Sequence, residues 1–287
     1  MPMPLTYLFV PGTRPERFAK AIAAGAGAVI LDLEDAVAPV DKAQARANVC
    51  AWLLANPAPT TRIFVRINDA ATPWYTDDLA ALRTVKSVAF GLMLPKCESV
   101  AQIAHCLTAI NSNSQSDTPL ISIIESARGV QQVDAIAQAP SLLALAFGTL
   151  DYAVDLDLPL ANGAPAKALE YAAARIAIAS RAAGLPAPIA GVTPELDTAR
   201  VAADMQWARG FGFGSKLCIH PMQVSAVHAA LTPSEAQLQW ARRVLAATAG
   251  RSTAVQLDGR MVDKPVVLQA QAVLARVLPD QPIPSSS

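Results

Sequence analysis

The chain alternates between short apolar runs and longer alanine-rich stretches, and this alternation constrains its fold more than any other feature. The short runs are rich in leucine and β-branched residues, which favours strands, whereas the longer stretches carry apolar residues at helical spacing. The eight predicted strands cover residues 6–10, 28–33, 62–68, 91–95, 120–125, 143–147, 187–192 and 216–220. Consecutive strands begin about 30 residues apart, the length of one strand-helix unit.

Eight such units predict an α/β protein and, within that class, a closed (β/α)8 TIM barrel. An open, doubly wound parallel sheet has the same alternation, which by itself does not separate the two folds. We favour the barrel because eight is its number of units. Residues 1–230 then form the barrel domain, and residues 231–287 form a C-terminal extension with predicted helices at 233–249 and 266–277.

Charge and composition argue against several classes of function. The 23 Lys and Arg residues balance 23 Asp and Glu residues, so the chain lacks the cationic field that binds nucleic acids or anionic membranes. The longest charge-free apolar stretch, 135–150, is too short to span a membrane. The first residues carry no basic segment, so we expect no secretory signal. The four cysteines form no CxxC pair, so we expect reduced thiols and a cytoplasmic protein.

Charged side chains stand at the C-terminal ends of most predicted strands. In a TIM barrel these ends converge on one mouth, where the chemistry takes place. The residues expected to meet there are Asp32, Glu34, Asp35, Arg66, Lys96, Glu125, Asp151 and His220. We expect some of the three acids in LDLEDAV to be surface residues or ion-pair partners, and His220 to be a structural histidine.

Glu125 and Asp151 are the candidate metal ligands. Each ends a markedly apolar strand, where an unpaired carboxylate is costly unless a cation offsets it. A divalent cation held by one or two carboxylates, with waters and substrate oxygens completing an octahedron, is typical of Mg²⁺. The alternative is structural: Glu125 pairs with Arg128, Ser126 caps the next helix, and Asp151 is a turn residue.

Two arginines are candidate anion-binding residues. Strand alternation in IFVRIN aims Arg66 at the mouth, and a guanidinium suits bidentate binding of a substrate carboxylate. Its alternative role is a structural ion pair with one of the acids near Asp32. The turn VPGTRPERF after the first strand offers backbone amides and Arg14 to an anion; alternatively, Pro15 simply starts a helix there.

Ten motifs, in order along almost the whole chain, resemble the HpcH/HpaI aldolase and citrate lyase family, most closely its citrate lyase beta subunit branch. They are LFVPGTRPERFAKA, AVILDLEDAV, DKAQAR, FVRIN, LPKCES, IIESARGV, LAFGTLDY, RAAGL, GSKLCIHPMQV and GRMVDKPVVLQAQAVLA. Each motif alone is weakly specific, whereas ten in register are strongly specific.

The resemblance implies a magnesium-dependent carbon-carbon lyase. Its substrate would be a 3-hydroxyacyl thioester, such as citryl-, malyl- or citramalyl-CoA or a carrier-protein thioester, cleaved to an acyl thioester and an oxoacid. It implies Glu125 and Asp151 as metal ligands, and Arg14, Arg66 and Glu125 as substrate-binding residues. Cleavage needs a base for the hydroxyl proton, a Lewis acid on the emerging oxoacid and stabilisation of a thioester enolate, and Mg²⁺ and Arg66 would together hold the oxoacid.

Asp263, in the segment GRMVDKP, matches an acid that in relatives reaches the mouth from a neighbouring subunit. The resemblance therefore implies a homo-oligomer, a trimer or hexamer, in which Asp263 moves a proton at the enolate carbon and joins Arg66 as a catalytic residue. The C-terminal helical segment, 231–287, would act as a lid that packs on the neighbouring subunit. Whether the chain also has partner subunits of the citrate lyase alpha and gamma type is left open by the sequence.

Departures from the family pattern bear on the identity of the substrate. Leu150 and Ala190 stand where relatives often carry acids, and Leu5 and Thr6 stand where they often carry Arg-Ser. Three alternative functions stay open: a metal-dependent pyruvate aldolase, an acyl-CoA thioesterase and a non-enzymatic metabolite-binding subunit. The GRMVDKP tail argues against the aldolase. The retained set of candidate site residues argues against the binding subunit.

Overall fold

The computed structural model describes residues 3–85, 88–111, 118–158, 167–249 and 255–276. Its strands are β1 (Thr6–Pro11), β2 (Ala28–Asp32), β3 (Arg62–Arg66), β4 (Gly91–Leu94), β5 (Leu120–Ile124), β6 (Leu142–Phe147), β7 (Ile189–Ala190) and β8 (Ser215–Cys218). Each strand pairs in parallel with the next along the chain, and β1 pairs with β8 to close the barrel. The predicted (β/α)8 TIM barrel is confirmed, and the open sheet is excluded.

Apolar side chains fill the barrel interior from alternate positions of its strands. Successive residues of a strand point to opposite faces, so every second residue faces inward. The buried interior cluster consists of Tyr7, Ala28, Ile30, Phe64, Met93, Ile121, Ile123, Ala144, Ala146, Ile189 and Leu217. Burying each large member stabilises the fold by about 1.5–3 kcal/mol. This apolar filling leaves the strand ends as the place where inward-facing polar side chains meet.

Helices follow the strands. They are α1 (Phe18–Ala23), α2 (Lys42–Ala55), α3 (Trp74–Thr84), α4 (Val100–Asn111), α5 (Ala127–Ala137), α6 (Thr149–Asp155), α7 (Lys167–Ala182), α8 (Thr198–Gly210) and α9 (Pro221–Leu231). Side-chain caps fix two of their starts: Ser126 accepts the Gly129 N–H before α5, and Asp197 accepts the Ala199 N–H before α8. Such caps satisfy N–H groups that have no partner within the helix.

The sequence pattern does not predict α6 or α9. With seven residues, α6 is too short to show a periodic apolar stripe, and α9 begins at Pro221, three residues after β8 ends. The seventh strand is also shorter than its predicted span. A Cβ on Gly191, directly after β7, would lie 2.6 Å from the Phe147 carbonyl oxygen, so the backbones approach closely there.

The chain divides into two compact units, residues 1–228 and 229–287. The second unit contains α10 (Glu235–Thr248), β9 (Val255–Leu257), β10 (Arg260–Val262) and α11 (Lys264–Leu274). β9 and β10 form an antiparallel hairpin around Asp258 and Gly259, whose φ values of 50° and 75° suit a tight hairpin turn. The unit has its own core, made of Leu238, Ala241, Val244, Val262, Ala270 and Val273. Its function as a lid stays a prediction.

No helix in the described ranges has both the length and the hydropathy needed to span a membrane.

Candidate active site

Three charged side chains extend the inward face of their strands toward the carboxyl end of the barrel. Asp32, Arg66 and Glu125 each lie two positions beyond a residue of the interior cluster, namely Ile30, Phe64 and Ile123. Because strand side chains alternate with a period of two, these three residues share the inward direction of that cluster. The alternation thus directs charged groups from three strands toward the mouth.

Asp32 and Arg66 form a bidentate ion pair. Arg66 Nε and Nη2 each donate to one Asp32 carboxylate oxygen at 2.6 Å, and the backbone N–H groups of Glu34 and Ala36 also donate to Asp32. Burial alone would raise the pKa of Asp32, but the guanidinium and the amide donors hold it below its ordinary value. Asp32 is therefore a saturated, ionised partner that fixes Arg66.

Arg66 adopts the structural alternative left open by the sequence. Its Nη1 lies 2.9 Å from Glu34 Oε2 and 3.2 Å from Asp35 Oδ2, and its guanidinium stacks over the Phe9 ring at 4.7 Å. Carboxylates thus contact all three nitrogens of the guanidinium. Binding of a substrate carboxylate by Arg66 stays a prediction, and it would involve a side chain already held by Asp32.

Glu34 is buried at the mouth with an incomplete set of partners. Its residue is 5% exposed, and neither carboxylate oxygen has a hydrogen-bond partner among the described residues. The ion-pair distances to Arg66 Nη1 and to Lys96 Nζ, 3.7 Å in the second case, bring charge but not hydrogen-bond geometry. Burial raises the pKa of Glu34 to about 7, against the opposing charge of Arg66.

Glu125 is held from two sides. Its Oε1 accepts the Lys96 backbone N–H at 2.7 Å, and its Oε2 lies against Gly148, where an added Cβ would collide with it. Lys96 has a φ of 45°, in the left-handed region that non-glycine residues rarely adopt. Burial, followed by the charges of Glu34 and Asp151, raises the pKa of Glu125 to about 8. Burial and neighbouring negative charge therefore disfavour the charged form of this carboxylate.

The structural alternative for Glu125 is only partly present. Ser126 does cap α5, but Arg128 pairs with Glu98, at 3.7 Å, rather than with Glu125. Within the part of the chain that the structure describes, Glu125 thus has no arginine ion-pair partner.

Asp151 lies in the first turn of α6, so it is helical rather than a turn residue. Its pKa is raised, first by partial burial and then by the charge of Asp35, while Lys96 and Arg66 oppose the shift. Lys96 also interacts electrostatically with Glu125 and Asp151. The electrostatic coupling of Asp151 to Glu125 and Lys96 associates it with the same mouth.

The mouth carries excess negative charge that suits a cation. Among the described residues, five acids and two bases interact there: Asp32, Glu34, Asp35, Glu125, Asp151, Arg66 and Lys96. No group of three or more His, Cys, Asp or Glu in this part of the chain could hold a metal ion. A divalent ion would therefore take two carboxylates and complete its shell with water and substrate oxygens, as Mg²⁺ commonly does. Glu125 and Asp151 fit this donor set.

The two other predicted site residues lie outside this cluster of interactions. Arg14 follows β1, at the same end of the barrel, and its half-exposed side chain contacts Glu16 at 3.0 Å. Pro15 begins a 3-10 turn, Pro15–Arg17, as the structural alternative for this loop expects. Asp263 belongs to the second unit, where its carboxylate caps α11 by accepting the Val266 N–H. The substrate-binding role of Arg14 and the catalytic role of Asp263 stay predictions.

Sequence reasoning named Lys96 and Glu34 as strand-end residues but gave neither a role. No local sequence pattern shows that the Lys96 backbone N–H binds Glu125 or that its φ is left-handed, while its ammonium lies 3.7 Å from Glu34. Glu34 stands among three acids in LDLEDAV, and only the folded structure distinguishes the saturated Asp32, the buried Glu34 and the exposed Asp35.

A closed, parallel eight-stranded barrel with charged side chains from several strand ends at its C-terminal mouth is the architecture of TIM-barrel enzymes. The model of the HpcH/HpaI aldolase/citrate lyase family matches residues 5–221. The chain belongs to this family.

Relatives and solved structures agree with this membership. A citrate lyase subunit beta-like protein of Mycobacterium tuberculosis is 37% identical over 273 residues, which cover 94% of both chains. The L-malyl-CoA/beta-methylmalyl-CoA lyase of Cereibacter sphaeroides is 32% identical over 294 residues, covering 93% of this chain and 92% of the lyase. The crystal structure of CitE from M. tuberculosis with magnesium, acetoacetate and coenzyme A matches with a TM-score of 0.82 and 36% identity, covering 94% of this chain and 97% of CitE.

Proposed function

We propose that this protein is a magnesium-dependent carbon-carbon lyase that cleaves a 3-hydroxyacyl-CoA thioester to an acyl-CoA and an oxoacid. The observation that carries the proposal is the gathering of Glu125, Asp151 and neighbouring acids at the carboxyl end of the barrel, where burial and mutual repulsion disfavour their charged forms and a divalent cation would offset both effects. The names of the relatives support the substrate class, since one is a lyase of malyl-CoA and another binds magnesium and coenzyme A. Citryl-, malyl- and citramalyl-thioesters are the candidate substrates, on CoA or on a carrier protein.

Different residues at the mouth would bind the metal and the substrate. Glu125 and Asp151 would hold Mg²⁺, which when bound supplies a Lewis acid for the oxoacid oxygens. The Lys96 N–H fixes one oxygen of Glu125, so the carboxylate is preorganised. Arg66, oriented by Asp32, would place positive charge beside the substrate carboxylate, and Arg14 would bind a further anionic group. Preorganised charges of this kind typically contribute about 3–4 kcal/mol each to transition-state stabilisation.

Asp263 would exchange the proton at the α-carbon of the acyl thioester. We propose that it does so from a second copy of the chain, in a trimer or hexamer, with residues 231–287 acting as the lid. This arrangement would exclude water from the thioester enolate.

The test is a product assay with purified protein, excess Mg²⁺ and malyl-, citramalyl- or citryl-CoA. We expect equal amounts of acetyl-CoA and of glyoxylate, pyruvate or oxaloacetate from one of these thioesters, and loss of turnover when EDTA removes the metal. Release of free CoA with an intact hydroxyacid would instead identify a thioesterase. Cleavage of a free hydroxy-oxoacid would identify a pyruvate aldolase, and binding without turnover of any compound would identify a metabolite-binding subunit.

A further inference from the structure

The Glu34 carboxylate has an unmet hydrogen-bonding requirement. Both of its oxygens are buried; Oε2 has Arg66 Nη1 at 2.9 Å as an ion-pair partner without hydrogen-bond alignment, and Oε1 has only Lys96 Nζ, at 3.7 Å. A buried acceptor without a donor is costly, and a charged one more so. Native proteins rarely keep such a group unless a ligand or an ordered water completes it.

Hydrogen bonds hold both the N–H and the carbonyl oxygen of Glu34, which keeps its side chain from turning toward solvent. Its N–H donates to Asp32 Oδ1 at 2.9 Å, and its carbonyl oxygen accepts from the buried Lys42 Nζ at 2.8 Å. The Lys42 ammonium also donates to the Leu33 carbonyl. These three bonds hold the turn after β2, so the Glu34 carboxylate faces Arg66 and Lys96.

A hydrogen-bond donor would complete the Glu34 carboxylate, because its Oε1 has no described donor closer than Lys96 Nζ at 3.7 Å. An ordered or metal-bound water is one such donor. On the substrate, carboxylates, thioester carbonyls and oxoacid carbonyls have no hydrogen to donate, so at the reacting end of a 3-hydroxyacyl thioester only the hydroxyl qualifies.

We propose that Glu34 accepts the hydrogen bond of the substrate 3-hydroxyl group and takes its proton as the carbon-carbon bond breaks. This inference rests on the proposed function and adds the base that the cleavage requires. The hydroxyl proton passes to Glu34, the C–O bond becomes the carbonyl of the oxoacid, and the electron pair of the broken bond passes to the thioester enolate. The enolate carbon then takes a proton from its acid, proposed above as Asp263.

The environment of Glu34 suits this role. The oxoacid product has no hydrogen at that oxygen, so Glu34 must hold the proton in the product complex. Burial raises the pKa of Glu34 to about 7, which brings its charged and neutral forms close in free energy near neutral pH. Arg66 and Lys96 would offset the charged form before the transfer.

The test compares two thioesters that differ only in the hydroxyl: malyl-CoA with succinyl-CoA, or citramalyl-CoA with 3-methylsuccinyl-CoA. The pair used is the one whose hydroxylated member is cleaved. Stopped-flow binding with excess Mg²⁺, measured before the first turnover, gives the preference for the hydroxyl. We expect the wild type to bind the hydroxylated thioester at least about tenfold more tightly. Glu34→Leu should abolish this preference and keep the affinity for the deoxy thioester.

Glu34→Gln separates the two parts of the inference. Its amide oxygen still accepts a hydrogen bond, so the preference should persist, while turnover should fall at least about a hundredfold because the proton acceptor is gone. Asp41→Asn is the control, because it removes a negative charge at an exposed position just before α2, where the side chain makes no capping hydrogen bond, and it should leave the preference unchanged. Thermal melts confirm that each variant is folded, and Glu34→Gln, nearly identical in shape, serves if Glu34→Leu does not fold.

Three results would overturn the inference. A wild-type preference near one, or a preference that survives in Glu34→Leu, would mean that an ordered water alone satisfies Glu34. Full turnover by Glu34→Gln would remove its role as base. In each case cleavage by the wild type would leave the proposed function intact, whereas absence of cleavage of every thioester would reject that function and the inference with it.

Discussion

Neighbouring carboxylates at the mouth differ because their donors differ. Asp32 is fully buried, yet two guanidinium nitrogens and two amides hold its pKa low. Glu125 receives one amide hydrogen bond, so burial and neighbouring charges dominate and raise its pKa to about 8. Hydrogen bonds to the charged form therefore decide which acid is structural and which is available for a cation.

Asp151→Asn should separate the metal-binding role from a structural one. The substitution keeps the shape of the side chain but removes a charge that the proposed Mg²⁺ needs. We expect an unchanged fold by circular dichroism, Mg²⁺ affinity reduced at least about tenfold by calorimetry, and a parallel loss of turnover. The control is Asp157→Asn, an exposed position just after α6. Unchanged Mg²⁺ affinity in Asp151→Asn would exclude Asp151 as a ligand.

Gly148→Ala should disturb Glu125 directly. The added Cβ would lie 2.6 Å from the Glu125 Cβ and would also meet its Oε2, so the carboxylate must move. We expect weaker Mg²⁺ binding and a loss of about 1–3 kcal/mol in the free energy of unfolding, measured by urea denaturation. Gly210→Ala is the matched control, because an added Cβ there has no neighbour within 4 Å. Equal behaviour of the two variants would show that Gly148 is not a packing constraint on the site.

At the scale of elements, the sequence predicts the strands well because each buried strand appears as a short, continuous apolar run. Seven of the eight predicted strands begin within one residue of the observed start, and the exception is β7. The sequence does not predict the short helix α6, because seven residues are too few to show a periodic apolar stripe. The hairpin of β9 and β10 lies between the two helices predicted for the C-terminal extension, where no strand is predicted, although Asp258-Gly259 is a recognisable hairpin signal.

The sequence predicts which side chains lie at the strand ends, but it does not predict which groups those side chains contact. Alternation indicates that Asp32, Arg66 and Glu125 face the mouth, because a period of two is visible in the sequence. Arg66 directs Nε and Nη2 to Asp32, whereas its contact with Glu34 lacks hydrogen-bond alignment, and this difference depends on side-chain geometry across strands. No local pattern encodes such a distance.

Lys216 on β8 gives the fold a pH dependence. Its buried Nζ donates to the Gly191 carbonyl at 2.6 Å, and burial lowers its pKa from 10.5 to about 8. Between these values the unfolded chain keeps a proton that the folded chain has lost, so Lys216 makes stability rise with pH in this window. Below it, the folded protein carries a buried ammonium at a cost.

Lys216→Met should remove this rise. We expect the free energy of unfolding of the wild type, minus that of the variant, to increase by up to about 3 kcal/mol between pH 8 and 10.5. Urea denaturation at several pH values measures it. Lys20→Met, at an exposed position on α1, controls for the loss of one positive charge. A difference that stays flat or falls with pH would contradict the assignment.

At the scale of the whole molecule, the proposed trans contribution of Asp263 predicts complementation between inactive variants. Asp263→Ala alone should bind Mg²⁺ normally and lose turnover. When it is co-expressed with Asp151→Asn, sites with both wild-type residues should form at subunit boundaries, at most about one quarter of all sites under random mixing. Activity assays of the mixed oligomer measure this recovery.

The matched control places both substitutions in one chain, co-expressed with an equal amount of wild-type chain. Absence of recovery in the first mixture, with activity retained in the second, would show that Asp263 acts within its own chain or not at all. Size-exclusion chromatography with light scattering would give the oligomer in each mixture.

The left-handed φ of Lys96 restricts the residue types that can replace it. Glycine would relax the main chain, at about 1 kcal/mol, but would erase the ammonium beside Glu34. A β-branched residue would both increase the strain of the main chain and remove the ammonium. Divergence at position 96 should therefore proceed through coupled replacements, in which the acid after β2 changes together with the residue after β4.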